Sequence, residues 1–383
     1  MIDRMRFDTA AIHAGQDPDP ATGAAVVPIY QTSTYVQDRV GVHKGFEYSR
    51  TDNPTRKALE TCLAALEGAT DAIAFGSGMA ATTTLAMTLR SGDRVLLPDD
   101  VYGGTYRLFA RVLGGLGIGF ATVDMTDLEA VEDALAGGAA MLFAETPTNP
   151  ALKVLDLEAL AGLSRRAGAI FAVDNTFATP YVQAPLALGA DVVVYSATKY
   201  LGGHSDLVAG ALVTSDTELA ERFRFLQNSV GAVPGPFDSW LLLRGLKTLG
   251  VRMRAHCSNA ARVAAWLTDH AKVRRVNYPG LGAAPGHRTA TRQMNASGEP
   301  LYGGMVSFEL SGEEEALAVC ERTELFFLGE SLGGVESLIE HPGRMTHASL
   351  AGSGIEVSPA LVRLSVGIEH VDDLIADLDQ ALS

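Results

Sequence analysis

Short apolar runs alternate with longer amphipathic segments through the middle of the chain. The apolar runs are nearly continuous, as in strands buried on both faces of a mostly parallel sheet, and they lie at residues 72–75, 94–98, 140–146, 169–175, 191–196 and 210–214. Segments with helical spacing separate them, and two of these, 127–137 and 156–168, begin with Asp and end with Gly. This alternation predicts an α/β fold with a mostly parallel sheet.

The pattern changes toward both ends of the chain. Helical spacing continues from Ser239 to His270 with glycine interruptions, and shorter alternating runs at 305–310 and 361–368 then indicate a smaller α+β region. The first 60 residues are rich in Pro, Gly and Thr and lack clean periodicity. We therefore predict three parts: an N-terminal arm (1–60), a large domain (61–255) and a C-terminal small domain (256–383).

Composition narrows the class of protein. The 383 residues are 47% hydrophobic and 20% charged, with a mean hydropathy of +0.13, as in a folded globular protein. A formal charge of -15 would repel nucleic acid. Cys62, Cys257 and Cys320 stand singly, which argues against a metal site and a disulfide framework. Neither a leader segment nor an apolar run of about 18 residues is evident, so we expect a cytoplasmic protein without membrane contact.

Polar residues follow several of the predicted strands at the point where each strand ends. A glycine-rich turn, Gly76 to Met79, opens a predicted helix, and Asn149 and Asp174 follow the next two long apolar runs. Ser196, Thr198 and Lys199 follow the run at 191–196. Because ligands bind at the carboxyl ends of parallel strands, we expect these groups to converge on one site.

Each of these features alone has an ordinary structural explanation, such as a tight turn, a helix cap or a solvated loop. Together they match the requirements of pyridoxal 5′-phosphate. Amides at a helix start, with Ser196 and Thr198, suit a phosphate. Lys199 would form the Schiff base, and the carboxylate of Asp174 would keep the pyridine nitrogen protonated.

Longer motifs extend this prediction to nearly the whole chain. They include "FEYSRTDNPTR", "SGMAA", "VYGGTYR", "ETPTNP", "VDNTFATP", "SATKY" and "ESLGGVESLIEHPGRMTHAS". With these motifs the chain resembles the Cys/Met-metabolism family of pyridoxal-phosphate enzymes, which includes cystathionine γ-lyase, cystathionine γ-synthase and methionine γ-lyase. The resemblance implies fold type I, with an aspartate-aminotransferase-like large domain, a smaller C-terminal domain and a homotetramer built from two tight dimers that share active sites.

The resemblance also implies roles for individual residues. Catalytic roles fall to Lys199, Tyr102 and Asp174. Besides these three, the residues implied at the cofactor are Gly78, Met79, Ser196 and Thr198, with Tyr48 and Arg50 reaching the phosphate of a neighbouring subunit. The residues implied for the substrate's α-carboxylate are Asn149, Ser331 and Arg363, and those for its distal end are Glu47, Arg107 and Glu330. No metal is expected.

On this basis we expect γ-elimination of L-cystathionine to L-cysteine, 2-oxobutyrate and ammonia. The alternative is cystathionine γ-synthase, which joins an O-acylhomoserine to cysteine and needs the same distal groups. Methionine γ-lyase is disfavoured because two glutamates would lie against a methyl group. The methionine-lyase pattern also tends to have cysteine at the position of Gly104 and to lack the glutamate at Glu330. A non-catalytic scaffold would be expected to lose Lys199, which is present. Two departures from the family pattern are Gly202, where asparagine is usual, and extra residues at 294–304.

Overall fold

The computed structural model describes residues 5–347 and 357–383. The helices are α1 (Phe7–His13), α2 (Pro54–Glu67), α3 (Gly78–Ala86), α4 (Gly103–Arg107), α5 (Leu128–Ala136), α6 (Leu157–Ala167), α7 (Thr179–Val182), α8 (Thr217–Val230), α9 (Pro236–Leu246), α10 (Leu249–Asp269), α11 (His287–Gln293), α12 (Glu313–Arg322) and α13 (Val371–Leu382). The strands are β1 (Asp71–Phe75), β2 (Arg94–Pro98), β3 (Gly119–Val123), β4 (Met141–Glu145), β5 (Ile170–Asp174), β6 (Val192–Ser196), β7 (Gly210–Thr214), β8 (Arg275–Asn277), β9 (Met305–Glu309), β10 (Phe327–Leu328), β11 (Leu338–Glu340) and β12 (Leu361–Ser365).

A seven-stranded sheet with the order β1-β7-β6-β5-β4-β2-β3 forms the larger part of the fold. Its strands are parallel except β7, which is antiparallel to both of its neighbours. The apolar runs are continuous because both faces are covered: Val192 and Val194 pack with Leu212 on one face, whereas Val193 packs with Ala211 on the other. The prediction of a mostly parallel sheet is confirmed.

The helices predicted between the strands begin and end where their capping residues indicate. The Asp127 carboxylate accepts hydrogen bonds from the amides of Glu129 and Ala130 at the start of α5. The Asp156 side chain accepts from the amide of Ala159 at the start of α6, and Gly168 ends α6 in the left-handed conformation at φ 68°. These caps orient both helices along the sheet.

The second sheet, of order β10-β11-β12-β9-β8, lies in the C-terminal region. Phe308, Val362 and Leu364 of this sheet pack with Leu374 of α13 and Val263 of α10. The predicted domain boundaries at 60/61 and 255/256 fall inside α2 and α10, and the three-part division stays a prediction.

Two parts of the predicted element pattern were wrong. Strand β3, at the sheet edge beyond β2, was not predicted because its side chains are exposed or only partly buried. The helical stretch 239–270 is two helices, divided at Lys247 and Thr248 rather than at a glycine. Among the described residues, no helix is both long and apolar enough to cross a bilayer.

Candidate active site

The ends of β4, β5 and β6, the start of α3 and the loop before β11 surround a cavity of about 290 Å³. Most of the residues predicted for the site line it: Gly78, Met79, Tyr102, Asn149, Asp174, Ser196, Thr198, Lys199, Glu330, Ser331 and Arg363. The structure thus brings together groups separated by up to 285 positions in the sequence. Four other predicted residues, Glu47, Tyr48, Arg50 and Arg107, do not line it.

Lys199 lies in the turn after β6 and points toward the loop before β11. Its Nζ donates a hydrogen bond to Ser331 Oγ at 2.6 Å. Ser331 has φ 98°, a conformation that L side chains rarely adopt. Burial, and after it the positive charge of Arg363, lowers the pKa of the Lys199 amine to about 8. A substantial fraction of this amine is therefore neutral near physiological pH, as a nucleophile or proton acceptor requires.

Arg363, on β12, is held in one orientation by three groups. Its guanidinium donates to Asn149 Oδ1 at 2.8 Å and to the Ser331 carbonyl at 2.9 Å. Glu340, its register partner on β11, forms an ion pair with it at 3.0 Å. Both charged side chains are almost fully buried, and Arg363 Nε has no hydrogen-bond partner among the described residues. Arg363 also lines the cavity, so its positive charge can attract a substrate carboxylate there.

Two carboxyl groups lie side by side at the ends of β4 and β5. Asp174 accepts a hydrogen bond from the Thr176 amide at 3.0 Å, and its register partner Glu145 accepts one from the Tyr102 amide at 3.1 Å. Burial raises the pKa of both, and the Asp174 charge adds to the elevation of the Glu145 pKa. A cation bound beside them would relieve this, so the pair suits a protonated pyridine nitrogen.

The start of α3 forms a small polar cup next to β6 and β7. Ser77 caps the helix by accepting from the Ala80 amide at 3.0 Å, which leaves other first-turn amides free. A Cβ atom at Gly78 would lie 2.8 Å from Ser196 Cβ, and one at Gly210 would overlap the Ser77 carbonyl. Glycine is thus required for the close approach of these backbones, and the cup fits a phosphate group.

Thr198 lines this cup, but its hydroxyl is already engaged. It donates to the Ala209 carbonyl at 3.1 Å and accepts from the Ala209 amide at 3.0 Å. The hydroxyl therefore ties the Lys199 turn to the residue before β7, and its proton is not directed at the cup. Its role at the phosphate stays a prediction.

Tyr102 stands at the cavity wall with charged neighbours of both signs. Burial raises the pKa of Tyr102, while Arg107 lowers it and Glu330 raises it, so both charges lie close to this side chain. A Cβ atom on Gly104 would overlap the Tyr102 ring. Glycine at 104 is therefore needed for the observed position of the ring.

The remaining predicted residues lie on the exposed N-terminal arm. The Glu47 side chain is 54% exposed and lies 3.6 Å from His43 Nε2. Tyr48 is 44% exposed, and Arg50 donates to the Asn228 carbonyl at 2.6 Å. In this single chain they are outside the cavity, and their roles toward a neighbouring subunit stay predictions.

Sequence reasoning missed the groups that orient the predicted residues. Glu340 and Glu145 were overlooked, although each is an acid inside an apolar run, "SLIE" and "MLFAE". His347 was also missed: its Nε2 lies 3.2 Å from the Asn149 carbonyl, and burial lowers its pKa to about 4, which favours a neutral ring. For Glu340 and Glu145, the available signal was an acidic residue at the end of an apolar run.

Behind Asp174, a buried polar network extends from α2 to α11. Tyr195 donates to Glu67 and accepts from Asn175 Nδ2 at 2.8 Å. Gln183 donates to Asn175 Oδ1 at 2.9 Å and accepts from Gln293 Nε2 at 3.0 Å. The network fixes the residue next to Asp174 from several elements of the fold.

A buried lysine with a lowered pKa, a pair of buried carboxyl groups and a phosphate cup at the ends of parallel strands define a pyridoxal-phosphate-dependent enzyme. The chain belongs to the family described as Cys/Met metabolism PLP-dependent enzymes, whose model matches residues 8–383. The predicted resemblance, the fold class and the cofactor, pyridoxal 5′-phosphate, are thereby confirmed.

Individual relatives carry different names within this family. The chain is 56% identical to the cystathionine gamma-synthase of Mycobacterium tuberculosis over 377 residues, covering 98% of this chain and 96% of that protein. It is 50% identical to the cystathionine gamma-lyase of Bacillus subtilis over 381 residues, covering 99% of each. The solved structure of metB from Corynebacterium glutamicum superposes with a TM-score of 0.97 at 48% identity, covering 100% of this chain and 99% of that one.

Proposed function

We propose that the protein cleaves the Cγ–S bond of L-cystathionine, giving L-cysteine, 2-oxobutyrate and ammonia. The observation that carries the proposal is the set of charged side chains in and beside the cavity. Arg363 and Glu330 line it with opposite charges. Arg107 lies outside the lining, but its charge, like that of Glu330, acts on Tyr102 at the cavity wall. Cystathionine carries an ammonium and a carboxylate at each end, so it complements groups of both signs.

The residues of the site have separate roles in this reaction. When bound, pyridoxal phosphate supplies an electron sink for negative charge at Cα and Cβ. Arg363 and Asn149 bind the α-carboxylate and fix the Cα–H bond relative to Lys199. Lys199 Nζ then accepts the Cα proton and releases it again to the bound substrate, which keeps it in the four-carbon product. The neutral amine next accepts the Cβ proton and donates that proton to the departing sulfur. Water completes the release of 2-oxobutyrate and ammonia.

Cystathionine γ-synthase is the second candidate. The specific observation in its favour is the 56% identity to a protein of that name, against 50% for the γ-lyase. Both reactions use the same carboxylate clamp and the same lysine. They differ in whether the four-carbon fragment is captured by a cysteine thiol or released by hydrolysis.

Product analysis of the pyridoxal-phosphate-loaded protein separates these candidates. One mixture contains L-cystathionine alone, and a second contains O-succinyl- or O-acetylhomoserine with cysteine. Rapid formation of 2-oxobutyrate and cysteine in the first, with little cystathionine in the second, supports the lyase. Efficient cystathionine synthesis with slow cleavage establishes the synthase instead, and pyruvate with homocysteine would contradict both.

The distal recognition can be tested with a matched pair of variants. Glu330→Gln keeps the shape of the side chain and removes its charge, so we expect KM for cystathionine to rise about tenfold. Glu314→Gln, at the start of α12 and outside the cavity, is the control and should leave KM unchanged. An unaltered KM in Glu330→Gln would remove Glu330 from substrate recognition.

We also propose that the arm covers the active site of a second chain in a homotetramer. Apolar side chains on the arm are strongly exposed in the single chain, Val36 by 91% and Tyr48 by 44%. Such exposure favours a covering partner. Light scattering of the purified protein measures the mass directly, and a monomer would contradict the proposal.

A further inference from the structure

Arg252, on α10, is a buried guanidinium that the steps above do not use. Its side chain is 3% exposed, and burial lowers its pKa to about 10. No carboxylate in the described ranges 5–347 and 357–383 forms an ion pair with it. An uncompensated buried charge is unfavourable, so its hydrogen bonds must account for its position.

Those hydrogen bonds converge on the turn that follows Lys199. The guanidinium donates to the Tyr200 carbonyl at 2.6 Å and to the Leu201 carbonyl at 3.4 Å. It also donates to the Gly245 carbonyl at 2.8 Å, and its Nε donates to Thr248 Oγ1 at 3.0 Å. The acceptors come from the lysine turn, the end of α9 and the start of α10. Arg252 therefore ties these segments together.

The turn lacks the regular backbone hydrogen bonds of a helix or a strand. Gly202 donates to the Ala197 carbonyl and Gly203 to the Lys199 carbonyl, which leaves the carbonyls of Tyr200 and Leu201 to the guanidinium. Gly203 has φ 74°, and a Cβ atom there would overlap the Arg252 head group. The left-handed glycine and the arginine thus fit one another.

The opposite side of the turn is closed by the loop before β11. A Cβ atom at Gly333 would lie 2.5 Å from the Tyr200 amide nitrogen and 3.0 Å from the Lys199 carbonyl carbon. This loop also carries Ser331, the hydrogen-bond partner of Lys199 Nζ. The Lys199 backbone is therefore held between this loop and Arg252.

We propose that Arg252 is a positioning residue that fixes the Lys199–Gly203 turn, so that Nζ stays buried against Ser331. A planar fork can reach carbonyls of two segments and the Thr248 hydroxyl at once, whereas a lysine ammonium cannot span them. The inference rests on the proposed role of Lys199 as nucleophile and proton carrier. It concerns the placement of that amine and not the identity of the substrate.

The test compares Arg252→Lys with Arg254→Lys. Arg254 lies on the same helix, but its side chain is 40% exposed and bonded to Asp8, so it serves as the matched control. Trinitrobenzenesulfonate labels neutral amines, and peptide mapping of the apo protein gives the Lys199 labelling rate as a function of pH. We expect a midpoint near pH 8 in the parent protein.

In Arg252→Lys the released turn exposes the amine, and we expect the midpoint of its labelling curve to rise by about one pH unit, which is a tenfold smaller neutral fraction at pH 7. In the loaded enzyme, kcat should fall about 10- to 100-fold with little change in KM. A variant that keeps both the parent midpoint and the parent kcat overturns the inference. Because labelling needs no substrate, this result is independent of whether the lyase or the synthase activity is found.

If Arg252→Lys does not fold, Thr248→Val tests the proposal instead. This variant removes the acceptor of Arg252 Nε and leaves the guanidinium in place. A smaller rise of the Lys199 midpoint in the same direction supports the positioning role. A midpoint identical to that of the parent overturns it.

Discussion

Replacing Glu67 by glutamine is expected to stabilise the protein in a pH-dependent way. Glu67 is 6% exposed, and burial raises its pKa from 4.5 to about 8, against a smaller opposing effect of Asn175. Its Oε1 accepts from the Tyr195 hydroxyl, and its Oε2 has no hydrogen-bond partner among the described residues. At neutral pH the folded protein therefore carries this carboxyl protonated.

The sign follows from proton binding. Between about pH 4.5 and pH 8, the folded state keeps a proton that the unfolded state has released, so stability falls as the pH rises through this window. At 1.36 kcal/mol per pH unit, the full effect above pH 8 is about 4–5 kcal/mol. Glutamine cannot ionise, and its amide nitrogen carries two N–H donors where the protonated carboxyl carries one O–H. Glu67→Gln should thus avoid this loss.

Urea denaturation of the holoenzyme at pH 5 and pH 8 measures the effect. The advantage of Glu67→Gln should be about 1 kcal/mol or less at pH 5 and about 3–4 kcal/mol greater at pH 8. Glu132→Gln, which alters an exposed carboxyl paired with Arg166, is the control and should change stability by less than about 0.5 kcal/mol. Equal or lower stability of Glu67→Gln at pH 8 would refute the argument.

Three further substitutions test the site. Glu340→Ala leaves the buried Arg363 charge unpaired and should destabilise the protein by about 3–5 kcal/mol in urea denaturation; a change below about 1 kcal/mol would contradict this. Asp174→Asn should keep the circular dichroism spectrum but lower turnover at least about 100-fold, and near-normal turnover would exclude the electrostatic role. Gly210→Ala places a methyl group against the Ser77 carbonyl, so cofactor affinity, measured by fluorescence titration, should fall about tenfold or more, and an unchanged affinity would show that the cup tolerates it.

The buried strands were predictable because their surroundings are uniform. A strand covered on both faces needs apolar side chains at every position, as Val192 to Val194 show, and this leaves a continuous run in the sequence. Strand β3 has no such requirement because it lies at the sheet edge with partly exposed side chains. Its boundaries follow from pairing with β2. That pairing is a long-range contact, and no local sequence pattern indicates it.

The chemical groups at the strand ends were predictable for the same topological reason. Asp174, Asn149 and Lys199 directly follow or end apolar runs, and parallel strands bring such positions to one edge. The groups that orient them depend on register between separate strands. Glu340 lies opposite Arg363, and this follows from the pairing of β11 with β12. Periodicity along one strand contains no information on that pairing.

In the proposed mechanism, the same register couples substrate binding by Arg363 to proton transfer by Lys199. Burial is the first cause of the low pKa of Lys199, and the positive charge of Arg363 is the second. A substrate carboxylate bound to Arg363 offsets that charge, so the lysine amine becomes a stronger proton acceptor when the substrate is in place. Arg363 lowers the Lys199 pKa more than Glu340 raises it, so Glu340 alone leaves part of the Arg363 charge uncompensated at the amine. In the proposed mechanism, the group that orients the substrate therefore also adjusts the base that acts on it.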